Sequence, residues 1–231
     1  MKKAYKKVEQ GLIEEILTED YPAGTPLESE RELAIKYGVS RATVREALQQ
    51  LTQAGWITVN QRQNTRVGDF WRNGTLDILS SAARTTNQFP LEMAAQLLEV
   101  RVELAPGYTR KAIENDSSQV ISCLARVRKL NDTSSSVAKF DWELNQTLAI
   151  LSGNRFYPLL LNSFAKLYFK LRGQFFASEE FRAMARKYYK ELMHAAIDED
   201  ADEAEHITRA AMQLRLQVFR HQVKLQAAAG G

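Results

Sequence analysis

Arg41, Thr43 and Arg45 stand together at the start of the stretch Ser40 to Gly55, SRATVREALQQLTQAG, with nothing acidic before Glu46. Guanidinium forks match phosphate oxygens and the O6/N7 edge of guanine, and a neighbouring hydroxyl serves either, so this is a set suited to a nucleic-acid groove. Other chemistries find no support. There is no G-x-S-x-G elbow, P-loop, Gly-rich dinucleotide turn or H-E-x-x-H pair, so no catalytic residue is expected. The single cysteine, Cys123, excludes an intrachain disulfide and a cysteine-rich zinc site. His194, His206 and His221 share no ligand spacing and are expected at the surface or at helix ends.

The elements that must position the two arginines are written in the same region. Ser40 suits an N-cap, Gly55 suits the left-handed residue after a helix, and Val44, Leu48 and Leu51 recur at i, i+4 and i+7. Upstream, Glu30 to Tyr37 (ERELAIKY) predicts a second short helix with Leu33 and Ala34 inward, and Gly38-Val39 turns between the two, which is helix-turn-helix spacing. Downstream the period becomes two: Trp56 to Asn60 has strand composition, Gln61 to Asn64 is turn-like, and Thr65-Arg66-Val67 returns as a second strand. The hairpin is a wing with Arg62 and Arg66 near its tip. Arg41 and Arg45 are expected at base edges or adjacent phosphates, with Ser40 and Thr43 beside them. Arg31 and Arg62 are expected to position the domain on the duplex, and Gln61 is a further DNA-binding candidate. Residues 5 to 19 predict a supporting helix with Val8, Leu12, Ile16 and Leu17 inward, stopped by Tyr21 to Pro26.

Charge is polarised rather than abundant. Basic and acidic residues balance over residues 1 to 70, yet Lys36, Arg41, Arg45, Arg62 and Arg66 face only Glu46 between residues 33 and 68. Lys2, Lys3, Lys6 and Lys7 read equally as a phosphate-following arm or a solvated tail. The whole chain of 231 residues carries a net charge of +3. Its length and a change of pattern near residue 70 predict two domains, 1–70 and 71–231, joined by a linker at about 68–74 whose Phe70 and Trp71 suggest a docked connection. Beyond it, seven helical segments are expected near 75–86, 90–114, 117–131, 135–151, 155–176, 179–198 and 201–226, with Pro106 kinking or splitting the second. The fold class is therefore mainly α: a winged helix-turn-helix followed by an all-α seven-helix bundle. No apolar run of membrane-spanning length and no signal-like N-terminus occurs, so a cytoplasmic protein is expected.

The segment PAGTPLESERELAIKYGVSRATVREALQQLTQAGWITV resembles the winged-helix segment of the GntR superfamily of bacterial transcription regulators. Its Pro26-Leu27 order and Arg62, where relatives often carry glycine, are departures. In the second half, FDWELNQTLAILSGNRFYPLL and LYFKLRGQFFASEEFRAMARKYYKEL are similar to the FadR subfamily, which responds to fatty acids. Many helical domains of the broader family hold a divalent metal on one Asp and three His. Here Asp141 is present, but Asn145 and Lys190 stand where histidines are usual, and the last helix offers Gln213 or Arg215, so no metal is expected.

The resemblance instead implies a ligand site for long-chain acyl-CoA and no resident cofactor. Arg101, Asp141 and Tyr189 stand at positions that match polar pocket residues of acyl-CoA-binding relatives, and Phe175, where a tyrosine is usual, Arg215 and Phe219 complete the candidate set. Without the resemblance, Phe175, Tyr188 and Phe219 need be nothing more than core aromatics. Met212 and Arg215 replace small residues, and Arg215 is either an added phosphate contact or a plug that changes the ligand. The implied protein is a homodimeric transcription regulator of fatty-acid metabolism, repressor or activator, on a double-stranded operator that acyl-CoA weakens. The alternatives are a response to a different small organic ligand, or a ligand-free DNA-binding dimer.

Overall fold

The computed structural model describes residues 4–59, 65–85 and 90–229. Helix α1 (Ala4–Leu17) buries Val8, Leu12, Ile13 and Ile16 along one stripe. Leu17, expected on that stripe, is only half-buried and Ile13 takes its place, because residue 13 lies under the same turn as Ile16. Helix α2 (Glu30–Tyr37) opens on a capping box: Glu32 N–H donates to the Ser29 hydroxyl at 3.3 Å, and Ser29 N–H donates to the Glu32 carboxylate at 2.9 Å. It closes on Gly38 at φ 66°, a left-handed residue that reverses the chain into α3 (Arg41–Gln53). Ser40 caps α3 by accepting from Thr43 N–H, and Val44, Ala47, Leu48 and Leu51 form its buried face.

The wing pairs β1 (Ile57–Thr58) with β2 (Arg66–Val67) antiparallel, Ile57 opposite Val67 and Thr58 opposite Arg66. Both strands are shorter than their composition suggests. The segment before α2 supplies further pairing: Leu27 N–H donates to Thr65 C=O at 2.8 Å, and Val67 N–H donates to Thr25 C=O at 2.9 Å. The expected linker instead forms one helical turn, α4 (Phe70–Asn73), capped by Asp69. Phe70 packs against Trp56 at 5.1 Å, whereas Trp71 is 68% exposed. The two cannot share a face, since successive side chains on a helix diverge by about 100°. Next comes α5 (Asp77–Thr85), fastened by a buried hydrogen bond from Trp56 Nε1 to Ser81 Oγ at 3.1 Å.

The chain divides into two compact units, residues 1–90 with 163–167, and residues 91–162 with 168–231. The first thus runs past residue 70, where the sequence pattern changes, because α5 packs on α1. The later elements are α6 (Leu91–Leu124), a 3₁₀ turn (Ala125–Lys129), α7 (Ser134–Leu151), α8 (Phe156–Phe176), α9 (Glu179–Ile197) and α10 (Ala201–Ala229). Pro106 is buried and does not split α6. The backbone leaves the helical range at Asp116 (φ −161°, ψ 76°), whose carboxylate accepts Gln119 N–H and starts the second half. With those halves counted separately, α5 to α10 are the seven expected segments, and the fold class is the expected one. Thr133 and Ser178 cap α7 and α9 through their hydroxyls, and Gly153 at φ 76° follows α7. In the second unit α6 packs against α7, α9 and α10, so these four helices surround a common centre.

Candidate functional site

Two sets of polar side chains stand apart from ordinary surface and core. The first is on the first unit. Arg31, Ser40, Arg41 and Arg45 are exposed, and Thr43 is half-buried with its hydroxyl 2.9 Å from that of Ser40. Arg41 and Arg45 are one turn apart and share a face of α3. Arg45 is engaged: its Nε donates to both carboxylate oxygens of Glu30, at 2.9 and 2.7 Å. The sequence shows no acidic neighbour ahead of Glu46 on that helix; the turn at Gly38 brings one across from α2. Gln61 and Arg62 lie outside the described residues. Arg66 is committed elsewhere, donating to Gly24 C=O at 2.8 Å, and Lys7 donates to Tyr37 C=O at 3.0 Å rather than standing free as part of a basic arm.

The second set is buried. Asp141 on α7 is fully inaccessible and receives a donor from each of the other four helices of its unit. Arg101 Nη2 (α6) reaches Oδ2 at 3.0 Å, Tyr168 (α8) donates to Oδ2 at 3.1 Å, Tyr189 (α9) donates to Oδ1 at 3.0 Å, and Arg215 Nη1 (α10) reaches Oδ1 at 3.0 Å. Asn145, one turn along α7, donates its amide N–H to the Asp141 backbone C=O and accepts a hydrogen bond from the Tyr108 hydroxyl on Oδ1 at 2.6 Å. Burial alone would raise the Asp141 pKa, but Arg101 and Arg215 bring it down to about 2. Burial, with the Asp141 charge beside them, pushes the Tyr168 and Tyr189 phenols well above their ordinary range, so both remain donors. Burial works against the Arg101 cation, yet Asp141 holds its pKa above the usual arginine value.

Of the six ligand residues expected, Arg101, Asp141, Tyr189 and Arg215 thus meet at one carboxylate. Phe175 and Phe219 pair edge to face at 5.1 Å, both buried, on the faces of α8 and α10 that carry Tyr168 and Arg215. Tyr168, Tyr108 and Asn145 were not singled out as ligand residues. Their signal was spacing: Tyr108 follows Arg101 by seven, Asn145 follows Asp141 by four, and Tyr168 precedes Phe175 by seven. Lys190 and Gln213, weighed for a metal site, are exposed, as are His194, His206 and His221. A divalent ion does not fit the Asp141 centre, because the groups aimed at the carboxylate are two guanidiniums, two phenols and an amide, which supply protons and positive charge rather than lone pairs.

The exposed arginine pair on α3, the second helix of the helix-turn-helix, fits the class that comparison with known proteins gives, a transcription regulator and not an enzyme. Residues 4–67 match the bacterial regulatory proteins of the gntR family, and residues 68–226 match the FadR C-terminal domain. The Fatty acid metabolism regulator protein of Shewanella pealeana is 39% identical over 193 residues, 83% of this chain and 80% of that protein. Its namesake in Shewanella oneidensis is 38% identical over 185 residues, 80% and 77% of the two chains. A solved structure described as "Lar controls the expression of the Listeria monocytogenes agr system and mediates virulence" aligns with a TM-score of 0.61 over 94% of this chain and 96% of its own, at 15% identity, which speaks to fold alone. The chain belongs to the GntR family and, within it, to the fatty acid metabolism regulators with a FadR C-terminal domain. Among the described residues no helix is long and apolar enough to cross a membrane.

Proposed function

We propose that the protein is a cytoplasmic homodimer that binds a pseudo-palindromic DNA operator through α3 and the wing, and that long-chain fatty acyl-CoA bound by the helical unit weakens that binding. The observation that carries the DNA reading is the exposed Arg41 and Arg45 pair on the capped first turns of α3. One such helix reads few bases, so two copies on half-sites one helical turn apart supply the needed specificity. Arg45→Ala is expected to cost about 1 to 3 kcal/mol on an operator selected from a random-sequence pool, and less on unrelated DNA. Unchanged operator affinity in the Arg41→Ala, Arg45→Ala double variant would remove α3 as the recognition helix.

The effector reading rests on the family and on the polar centre where Arg101, Tyr189 and Arg215 converge on Asp141. Calorimetry of oleoyl-CoA and palmitoyl-CoA against the free protein tests it directly, with micromolar binding expected. A second reading, a fatty or other small organic ligand with a different head group, is favoured by one observation: Met212 and Arg215 are 2% and 3% exposed, so both fill space inside the unit. Inactive acyl-CoA thioesters alongside an active ligand of another head group would select that reading.

A further inference from the structure

Apart from the donors around Asp141, the second unit carries a basic hollow where the 3₁₀ turn (Ala125–Lys129) meets the opening turns of α7. It encloses about 310 Å³, within the range of small-molecule sites. Arg126, Lys129 and Lys139 line it together with a single carboxylate, Glu143. Glu143 accepts from Arg126 Nη2 at 2.5 Å and lies 3.8 Å from Lys139 Nζ, so one carboxylate is divided between two cations. Asp132, on the same connection, is occupied elsewhere: Arg182 and Arg186 hold it at 3.1 and 3.2 Å. Three cations against one carboxylate leave the hollow with a surplus of two positive charges. The N-terminal end of the 18-residue helix α7 adds its partial positive charge to that surplus.

A surplus of that size selects the anion. A carboxylate would meet half of it, whereas a phosphomonoester carries about −1.5 to −2 charges at neutral pH and offers three strong acceptor oxygens. The donors to receive them are a guanidinium, two ammoniums and the Ser136 hydroxyl, which also lines the hollow. The rest of the lining suits an organic group, since Leu130 and Phe140 give it an apolar part. Phe140 is buried and held in place by an edge-to-face contact with Tyr189 at 5.0 Å. We propose that this hollow binds a phosphomonoester whose organic part lies against Leu130 and Phe140. The site goes beyond the acyl reading of the same unit and stands without it. Its chemistry fits two sources, a free nucleotide or the phosphorylated nucleotide end of an acyl-CoA. Either would neighbour the Asp141 centre, because Tyr189, which packs on Phe140, donates to Asp141.

Calorimetry on the full-length protein compares 3′,5′-ADP, adenosine and inorganic phosphate, with and without oleoyl-CoA. The nucleotide is expected to bind at least tenfold more tightly than either fragment. The Lys129→Ala, Lys139→Ala double variant is expected to weaken it about tenfold or more, the value of a charge-assisted hydrogen bond. Both lysines are exposed, so the fold should hold. Arg128→Ala, exposed on the same turn but outside the lining, should leave binding within about twofold. Should the lysine variants fail to fold, acetylation of the unaltered protein gives a second readout. The nucleotide should then slow modification of Lys129 and Lys139 but not of Lys187, an exposed lysine on α9. Displacement of 3′,5′-ADP by oleoyl-CoA would identify the acyl-CoA nucleotide end as the source, and undiminished binding a free nucleotide. Adenosine binding as tightly as 3′,5′-ADP, an equal loss in Arg128→Ala, or no selective protection of the two lysines would overturn the phosphate assignment. Inorganic phosphate binding as tightly as 3′,5′-ADP would overturn the organic part.

Discussion

Asp141 concentrates the energetics of the second unit, because one carboxylate gathers donors from α6, α8, α9 and α10. Removing it with Asp141→Ala strands the buried guanidinium of Arg215 and the half-buried one of Arg101 and should destabilise the protein by about 3 to 5 kcal/mol in urea unfolding. A loss under 1 kcal/mol would show that water reaches both arginines. The pH dependence has a definite sign. The folded pKa, about 2, lies below the ordinary 3.8, so the stabilisation is complete above the unfolded value and is lost as pH falls from about 4 toward about 2. Its size is on the order of 2 kcal/mol, and an Asp141→Asn variant should lack that part of the acid transition. The family resemblance, rather than residue types, pointed to part of this centre, since Arg101, Asp141 and Tyr189 stand at positions that match a family pattern. That both oxygens of Asp141 are filled depends on how α7 and α10 face each other across the unit. Spacing along one helix carries no such information.

At the level of elements the local signals held where chain chemistry determines geometry. Ser40 caps α3 and Gly38 and Gly55 take left-handed conformations, because hydroxyl caps and positive φ are decided within a few residues. Ser40→Ala should lower stability by about 1 kcal/mol and Ser40→Gly by only a few tenths, since an N-cap tolerates glycine. An equal loss for both would show that the hydroxyl acts beyond capping. Contacts across the turn were less legible. Glu30 meets Arg45 only because α2 and α3 fold back at Gly38, and the pairing of Thr25 with Val67 and of Leu27 with Thr65 joins segments far apart in sequence. The Glu30 and Arg45 pair is exposed and worth about 1 kcal/mol or less. Glu30→Gln should leave the melting temperature nearly unchanged and raise operator affinity by about fivefold or less, as Arg45 no longer divides its hydrogen bonds between a carboxylate and DNA. Weaker operator binding in that variant would mean that Glu30 holds Arg45 in its reading position. An aromatic in a linker sequence suggests packing, but the single turn of α4 gives the buried face to Phe70 and leaves Trp71 exposed.

For the whole molecule, the proposed function requires that ligand in the helical unit and operator on α3 oppose each other. A ligand shifts such an equilibrium only by its differential affinity for the DNA-bound and free states, so a tenfold loss of operator affinity requires about 1.4 kcal/mol of coupling. The same factor must appear in reverse, as weaker ligand binding when operator is present. Length and the change of pattern put a boundary near residue 70, whereas the first compact unit includes α5, which a Trp56–Ser81 hydrogen bond holds across the expected linker. The most direct measurement is a fluorescence-anisotropy titration of the full-length protein on its selected operator with oleoyl-CoA and, in parallel, oleate. A long-chain acyl ligand is expected to raise the operator Kd at least tenfold, with an equal rise in ligand Kd on the DNA complex. An operator Kd unchanged by saturating amounts of both ligands would contradict it.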